Sequence, residues 1–222
     1  ELPEYMRTDE VRPYYDLLQR KKLSLFFKRV FDIVVSLIMI ILCSPILLII
    51  SILIVKDSKG GVFYRQERVT QYGRVFRIFK FRTMVQNADQ IGTQVTISND
   101  SRITDVGSKL RNCRLDELPQ LFNIFLGDMT FVGTRPESVH YVKSYTDEMY
   151  ATLLLPAGVT SEASIEYKDE ADLLDQADDV DSVYINEVLP EKMKYNLNSI
   201  KEFSFFKEIA TMFRTVFAVL EK

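Results

Sequence analysis

An uncharged apolar stretch of 23 residues, Ile33–Val55, constrains this chain more than any other feature. About 20 apolar residues suffice to cross the hydrocarbon core of a bilayer, so the length permits a transmembrane helix. Ser44 and Pro45 interrupt the stretch at its centre. Proline inside a helix leaves one backbone carbonyl without its donor, and in lipid the Ser44 hydroxyl can supply a partner. The sequence therefore predicts a membrane segment with a break at Ser44-Pro45.

Basic residues flank the apolar stretch on both sides, and basic flanks mark the cytoplasmic side of a membrane segment. They are Arg20, Lys21, Lys22, Lys28 and Arg29 before it, and Lys56, Lys59, Arg65 and Arg68 after it. Each half of the stretch is roughly 17 Å long as a helix, too short to span a bilayer alone. This pattern favours a re-entrant helix-break-helix hairpin that enters one leaflet and returns. A straight signal-anchor helix that tolerates Pro45 is the alternative.

Composition fits one globular domain with an added membrane element, because 47% of the 222 residues are hydrophobic. Cys43 and Cys113 lie far apart in the chain, so nothing indicates a disulfide framework, and His140 as the only histidine excludes most zinc sites. Charge is divided unevenly, with a net of +8 over residues 1–114 and −11 over residues 115–222. The basic part contains the apolar stretch, which suits an anionic leaflet and a phosphate-bearing ligand.

The predicted fold is α-dominated α+β, with a re-entrant membrane hairpin and a compact cytosolic domain that carries amphipathic interfacial helices and a small β-hairpin. We divide the chain into an N-terminal lead-in at 1–27, whose first 19 residues are expected to pack poorly, a re-entrant helix at 28–56, and a cytosolic catalytic domain at 57–222.

Local patterns place the remaining elements. Two strand-like runs, 62–69 and 74–84, flank a turn at 70–73 and predict the β-hairpin. Alternation along the second run puts Phe76, Ile78, Lys80 and Arg82 on one face. Apolar residues recur at helical spacing from Leu115 until Gly127-Asp128, and again over 199–220. For the second of these runs, core packing and contact with a membrane surface both remain open.

An acidic pair, Asp116 and Glu117, is the strongest chemical signal. Proline is tolerated in the first turn of a helix, so Pro119 places the pair at a helix start, where carboxylates stay ionised and phosphate is favoured. Arg111 and Arg114 precede the pair. An aspartate can attack phosphorus to form a covalent acyl phosphate, and phosphoryl transfer usually involves Mg²⁺. The pattern therefore favours phosphoryl chemistry, with simple helix capping as the alternative.

Several short motifs stand in order between Lys28 and Phe217. They are Lys28-Arg29-Val30-Phe31-Asp32, Ser44-Pro45, Phe63-Tyr64-Arg65-Gln66-Glu67-Arg68, Lys80-Phe81-Arg82-Thr83-Met84, Asp100-Ser101-Arg102-Ile103-Thr104, Leu115-Asp116-Glu117-Leu118-Pro119-Gln120-Leu121, Gly127-Asp128-Met129-Thr130 and Gly133-Thr134-Arg135-Pro136. Each is weak alone, but the ordered set is specific. With this set the chain resembles the monotopic phosphoglycosyl transferases, bacterial sugar transferases that start glycan assembly on a polyprenyl phosphate.

The resemblance implies a two-step reaction. Asp116 would attack the sugar-bearing phosphate of a UDP-sugar and release UMP, and undecaprenyl or a similar polyprenyl phosphate would then take the phosphosugar from the enzyme. Glu117 would help Asp116 hold Mg²⁺ or would handle the acceptor. Further residues match family positions that bind phosphate or line the site; these are Lys80, Arg82, Arg111, Arg135 and, on a weaker Asp-x-x-Tyr match with Tyr184, Asp181.

The resemblance also implies a location at the cytosolic face of the bacterial inner membrane, with the bilayer, a UDP-sugar and a polyprenyl phosphate as partners. It implies no nucleic-acid partner and leaves homo-oligomers open. Ser161 stands where relatives carry a glycine, and 165–170 lack a Gly-Arg pair, so the sugar is not identified. Two other classes remain, a membrane-tethered scaffold or regulator without the chemistry, and a nucleotide-sugar enzyme without a lipid acceptor.

Overall fold

The computed structural model describes residues 2–88, 100–167 and 179–220, and helices dominate these ranges. The α-helices are α1 (Arg12–Arg20), α2 (Lys22–Asp57), α3 (Asp105–Asn112), α4 (Gln120–Leu126), α5 (Val139–Val142), α6 (Glu162–Glu166), α7 (Val180–Val183), α8 (Leu189–Lys201) and α9 (Phe205–Leu220). The strands are β1 (Phe63–Val69), β2 (Val75–Phe81), β3 (Met129–Val132) and β4 (Ala157–Thr160). The acidic run 162–187 predicts an acidic surface, and its residues 168–178 lie outside the described part of the chain.

The predicted β-hairpin is confirmed. Strands β1 and β2 pair antiparallel from Phe63 opposite Phe81 to Val69 opposite Val75. The connector turns through Tyr72 and Gly73, both with positive φ. Phe76 and Ile78 are buried on one face of β2, as the alternation predicted, because this face packs against α4 and β3.

The apolar stretch forms the middle of α2, which runs without interruption through Pro45. Pro45 cannot donate to the Ile41 carbonyl, and the Ser44 hydroxyl donates to that carbonyl instead at 2.8 Å. The predicted role of Ser44 is therefore confirmed, while no gap in the helix marks the predicted break. Among the described residues, α2 is the one helix long and apolar enough to cross a membrane, and most of its apolar surface is exposed.

The expectation of a poorly packed N-terminal lead-in is wrong. Met6 and Val11 are fully buried, and Tyr14 and Leu18 of α1 join them in a core built largely from α8 and its neighbours. Val11, Tyr14 and Leu18 are spaced three and four residues apart, which brings them onto one side of a helix. Charged residues between them obscure this spacing in the sequence.

The C-terminal run divides into two environments. Helix α8 ends at Lys201, and Ile200 and Phe203 are buried in the core. Helix α9 follows, with Phe206, Phe213 and Phe217 more than half exposed. Core packing thus accounts for the first part of the run, and an exposed apolar surface distinguishes the second.

A second, unpredicted sheet supports the loop that follows β3. Strands β3 and β4 pair in parallel, and Gly133 donates to the Thr160 carbonyl at 2.9 Å. A Cβ on Gly158 would lie 2.2 Å from the Gly133 nitrogen, so the two chains can approach this closely only with glycine there. This contact fixes where the segment carrying Arg135 leaves the sheet.

Candidate active site

Side chains from three distant parts of the chain meet at Glu117. Lys80 of β2 donates to Glu117 Oε1 at 2.8 Å, and Arg135, in the loop after β3, donates to the same oxygen at 3.1 Å. Glu117 is largely buried, whereas Arg135 is 40% exposed. Two cations therefore converge on one carboxylate, with Arg135 facing partly outward.

The acidic pair, which the sequence predicted at a helix start, lies in a short 3-10 turn, Leu115–Glu117, just before α4. Arg114, in a left-handed conformation, turns the chain into it. Buried Asn123 of α4 then accepts from the Phe79 amide at 2.7 Å and donates to the Arg77 carbonyl at 3.1 Å. Because Asn123 joins α4 to the edge of β2, Glu117 is held opposite Lys80.

Opposing effects set the protonation of Glu117. Burial alone would raise its pKa, but the Arg135 and Lys80 charges prevail and hold the pKa at about 2. Burial also lowers the pKa of Lys80, and Glu117 only partly opposes this. The contact therefore stabilises the fold by less than the Glu117 shift alone indicates, and Glu117 is ionised at neutral pH.

Asp116 has a different environment from its neighbour. Its side chain accepts no hydrogen bond from another side chain in the described part of the chain. Burial and the adjacent Glu117 charge raise its pKa, with Lys80 and Arg111 opposing them. The environment of Asp116 thus raises its pKa rather than lowering it, whereas nearby cations, rather than the helix start, favour the charged form of Glu117. A poorly solvated, unpaired carboxylate is well suited to attack.

Arg111 approaches Asp116 from α3. Thr104 caps this helix, and Gly107 packs so closely on the segment after β2 that a Cβ there would lie 2.0 Å from the Thr83 carbonyl oxygen. Arg111 donates from Nε to Thr83 Oγ1 at 2.9 Å, and its charge acts on Asp116. The structure thus brings Lys80, Arg111, Asp116, Glu117 and Arg135 together.

Other predicted site residues lie elsewhere. Arg82 donates to the Ser58 carbonyl at 2.7 Å and to the Lys59 carbonyl, so it joins β2 to the end of α2. Asp181 accepts from the Tyr141 hydroxyl at 2.7 Å at the surface. Ser44 and Pro45 remain in the exposed middle of α2.

The stretch that departs from the family pattern packs against α9. Ser161 caps α6 by accepting from the Ser164 amide. Glu162 and Glu166 both accept from Arg214 of α9, at 2.7 and 2.5 Å. These contacts explain how the stretch folds here, and they engage its carboxylates away from Glu117.

Some polar residues behind the site are given no role by the motifs. Arg68 shares a face of the hairpin with Lys80, and strand alternation could have identified it. Glu137, Tyr184 and Lys192 form a buried polar group that only the tertiary structure reveals, because the residues are up to 55 positions apart.

A magnesium ion fits this site only if substrate phosphates and water complete its coordination. The described residues include no group of three or more acidic, histidine or cysteine side chains that could cage a metal. Mg²⁺ is commonly held by one or two carboxylates together with substrate phosphates and water. Asp116 and Glu117 meet that requirement, since they are adjacent and both lie near Lys80.

Glutamine at position 117 should lower the free energy of unfolding by about 1–3 kcal/mol at pH 7, because Lys80 and Arg135 lose their common carboxylate. The folded pKa lies below the ordinary value of 4.5, so this stabilisation is complete above 4.5 and is lost as the pH falls towards about 2. Urea denaturation at several pH values measures it. The control is Glu67→Gln, which breaks an exposed pair with Arg77 and should cost under about 0.5 kcal/mol; equal losses would contradict the prediction.

Comparison with known proteins identifies the family. The model of the bacterial sugar transferase family matches residues 23–222. The chain is 37% identical over 199 residues to a UDP-N-acetylgalactosamine-undecaprenyl-phosphate N-acetylgalactosaminephosphotransferase of Aeromonas hydrophila, covering 88% of the chain and 44% of that relative. It is 33% identical over 219 residues to a UDP-glucose:undecaprenyl-phosphate glucose-1-phosphate transferase of Escherichia coli, covering 96% of the chain and again 44% of the relative.

A shorter relative, a putative undecaprenyl-phosphate N-acetylgalactosaminyl 1-phosphate transferase of Bacillus subtilis, is 36% identical over 135 residues and is covered over 75% of its length. The chain thus spans less than half of the first two relatives and most of the third. Since the family model covers nearly all of the sequence, the chain belongs to the bacterial sugar transferase family.

Proposed function

We propose that this chain transfers a sugar 1-phosphate from a UDP-sugar to a polyprenyl phosphate such as undecaprenyl phosphate, through a covalent phosphosugar on Asp116. The observation that carries the proposal is the contrast within the acidic pair. Lys80 and Arg135 hold Glu117 ionised, while Asp116 beside it is partly buried and accepts no hydrogen bond from the other described side chains. The relatives' names describe the same class of reaction.

The first step forms a bond between an Asp116 carboxylate oxygen and the phosphorus that bears the sugar. The bond from that phosphorus to the bridging oxygen breaks, and UMP leaves with the electron pair. In the second step an oxygen of the polyprenyl phosphate attacks the same phosphorus. The Asp116 carboxylate is released, and a polyprenyl diphosphosugar forms.

Cationic side chains support both steps by neutralising phosphate charge. Arg135, Lys80 and Arg111 surround the carboxylates and fit the anionic oxygens of a diphosphate. Mg²⁺ would be held by Asp116 and Glu117, and when bound it would add positive charge at the phosphates. Phosphoryl transfer depends mainly on such positioning and charge neutralisation.

Contacts at both ends of α2 support a re-entrant course. Near its start, Arg29 donates to the Ile124 and Phe125 carbonyls at 2.7 and 2.9 Å. Near its end, Asp57 accepts from the Val106 amide at 3.2 Å, and Ile54 packs on Phe81. A straight helix across a roughly 30 Å bilayer core would put its ends on opposite sides. Since both ends contact the same polar domain, we propose a monotopic protein at the cytosolic face of the bacterial inner membrane.

Topology labelling should find both flanks of α2 on one side. In a Cys113→Ser background, one variant carries a single cysteine in place of Lys22 and another carries it in place of Lys59. Both should react with a membrane-impermeant maleimide, and only from the cytosolic side. Native Cys43 lies within the apolar stretch and should stay unlabelled, which provides an internal control. Labelling of the two flanks from opposite sides would rule out the re-entrant course.

The proposed reaction is tested with purified protein in nanodiscs, by measuring UMP release from a panel of UDP-sugars with and without polyprenyl phosphate. The proposal expects turnover only with the lipid phosphate, and Mg²⁺ dependence. Release sustained without lipid would favour a nucleotide-sugar enzyme of another class. No release from any donor would favour a scaffold or regulator that keeps the fold alone.

A further inference from the structure

We infer that Glu137, Tyr184 and Lys192 form a buried positioning group that holds the loop carrying Arg135 against Glu117. The inference deepens the proposed function, on which its kinetic consequence rests. None of these three residues contacts the carboxylate pair directly, so they act through Arg135. We define the Arg135 loop as residues 133–137.

The three residues contact one another and are buried. The Tyr184 hydroxyl donates to Glu137 Oε1 at 2.7 Å, and Lys192 donates to the same hydroxyl at 3.1 Å. Lys192 Nζ also lies 3.6 Å from Glu137 Oε1, and more than nine tenths of each of the three residues is shielded from solvent. With these contacts the Glu137 carboxylate is fixed in place, two residues after Arg135.

The rest of the Arg135 loop is attached on both sides. The Glu137 carbonyl accepts from the Val69 amide at 2.9 Å, at the end of β1. The Gly158 amide of β4 donates to the Thr134 carbonyl at 2.8 Å. Arg135 lies between these attachments, and because its side chain is 40% exposed, its own packing holds it less firmly.

Stability alone explains the buried group poorly. A buried ion pair contributes little net stability, because desolvation offsets the attraction, and an apolar replacement often does as well. What the polar group adds is a defined geometry for Glu137. Tyr184 also begins a π-helical turn, Tyr184–Val188, a rare conformation that is frequent at functional sites.

The Asp-x-x-Tyr match takes on a different meaning in this arrangement. Tyr184 points inward to Glu137, while Asp181 accepts from Tyr141, whose ring lies 4.3 Å from the Tyr184 ring. Asp181 therefore supports the outer side of the positioning group. It thus acts on Arg135 indirectly, through Tyr141 and the positioning group, and not on the UDP-sugar.

The test replaces Tyr184 with phenylalanine, which removes the hydroxyl and keeps the ring. Two readouts are taken on the full chain in nanodiscs. Hydrogen exchange, followed by mass spectrometry, should increase in peptides that cover the Arg135 loop. With a UDP-sugar donor, KM should rise about tenfold, the effect of losing one charge-assisted hydrogen bond, while kcat changes less.

The chain offers a closely matched control in Tyr14→Phe. The Tyr14 hydroxyl donates to Glu148 at 2.5 Å, and Lys201 lies 5.2 Å from its ring, as Lys192 lies 5.2 Å from the Tyr184 ring. Both tyrosines belong to the same core. This variant loses an equivalent hydroxyl away from the Arg135 loop, so exchange should increase near Glu148 and the donor KM should not change.

Two results would overturn the inference. One is unchanged exchange of the Arg135 loop in Tyr184→Phe, and the other is a KM increase that Tyr14→Phe reproduces. If the wild-type protein released no UMP from any UDP-sugar, the proposed function would fail, yet the exchange comparison would still decide whether Tyr184 holds the loop. Lys192→Met, which removes the cation and keeps the hydroxyl, should increase loop exchange in the same direction.

Discussion

Asparagine at position 116 should abolish turnover, with a loss of at least about 10³-fold in kcat, because an amide cannot form the acyl phosphate that divides the reaction into two steps. The measurement uses a donor labelled with ³²P in the sugar-bearing phosphate. Denatured wild-type protein should retain label in the absence of lipid and lose it on treatment with hydroxylamine, whereas Asp116→Asn should retain none.

The same substitution should stabilise the fold, which separates loss of chemistry from loss of structure. Burial, together with the Glu117 charge, raises the folded pKa of Asp116 above its ordinary value of 3.8, so ionisation costs stability. That cost is absent below 3.8 and grows as the pH rises through the higher folded value. Asp116→Asn should therefore melt above the wild type at pH 7 and match it at pH 3.

Exposed Asp105, at the start of α3, provides the matched control. Asp105→Asn removes an aspartate charge without changing the acidic pair. This variant should retain the ³²P label and the kcat of the wild type. Labelling of Asp116→Asn at the wild-type level, or turnover within tenfold of the wild type, would exclude Asp116 as the nucleophile.

Methionine at position 28 should lower the free energy of unfolding by about 3–5 kcal/mol, because it leaves buried carboxylates without their cation. Lys28 is buried, donates to the Val132 carbonyl at 2.8 Å and pairs with Glu208 of α9. Asp32, one turn further along α2, accepts from Thr130 of β3 at 2.6 Å. This cluster joins α2, the strand before the Arg135 loop and α9.

Thermal unfolding in detergent measures the effect, and a loss of that size corresponds to a fall in Tm of about 10 °C for a chain of this length. Adding Glu208→Gln to Lys28→Met should recover part of the loss, because one uncompensated charge is removed. Lys109→Met, at an exposed position of α3, controls for the loss of a lysine. Equal Tm values for Lys28→Met and Lys109→Met would show that the cluster contributes nothing.

Local sequence patterns predicted the elements that depend on residues close together in the chain. Alternation and the turn at 70–73 located the hairpin, and Gly127, with φ of 89°, ends α4 where the sequence placed the stop. Local patterns did not predict the buried side chains of α1 or the four-residue strands β3 and β4. Their apolar residues are few and form a pattern only when a partner surface lies against them.

The sequence alone determined the long apolar segment, the Ser44 partner of the Ile41 carbonyl, and the motifs that carry the family, since each depends on residues adjacent in the chain. Only the tertiary structure decided that Lys80 and Arg135 share Glu117, that Asp116 stays unpaired among the described side chains, and that Arg82 is directed to the end of α2. Protonation and ion pairing depend on distance and burial, and chain folding sets both between residues far apart in sequence.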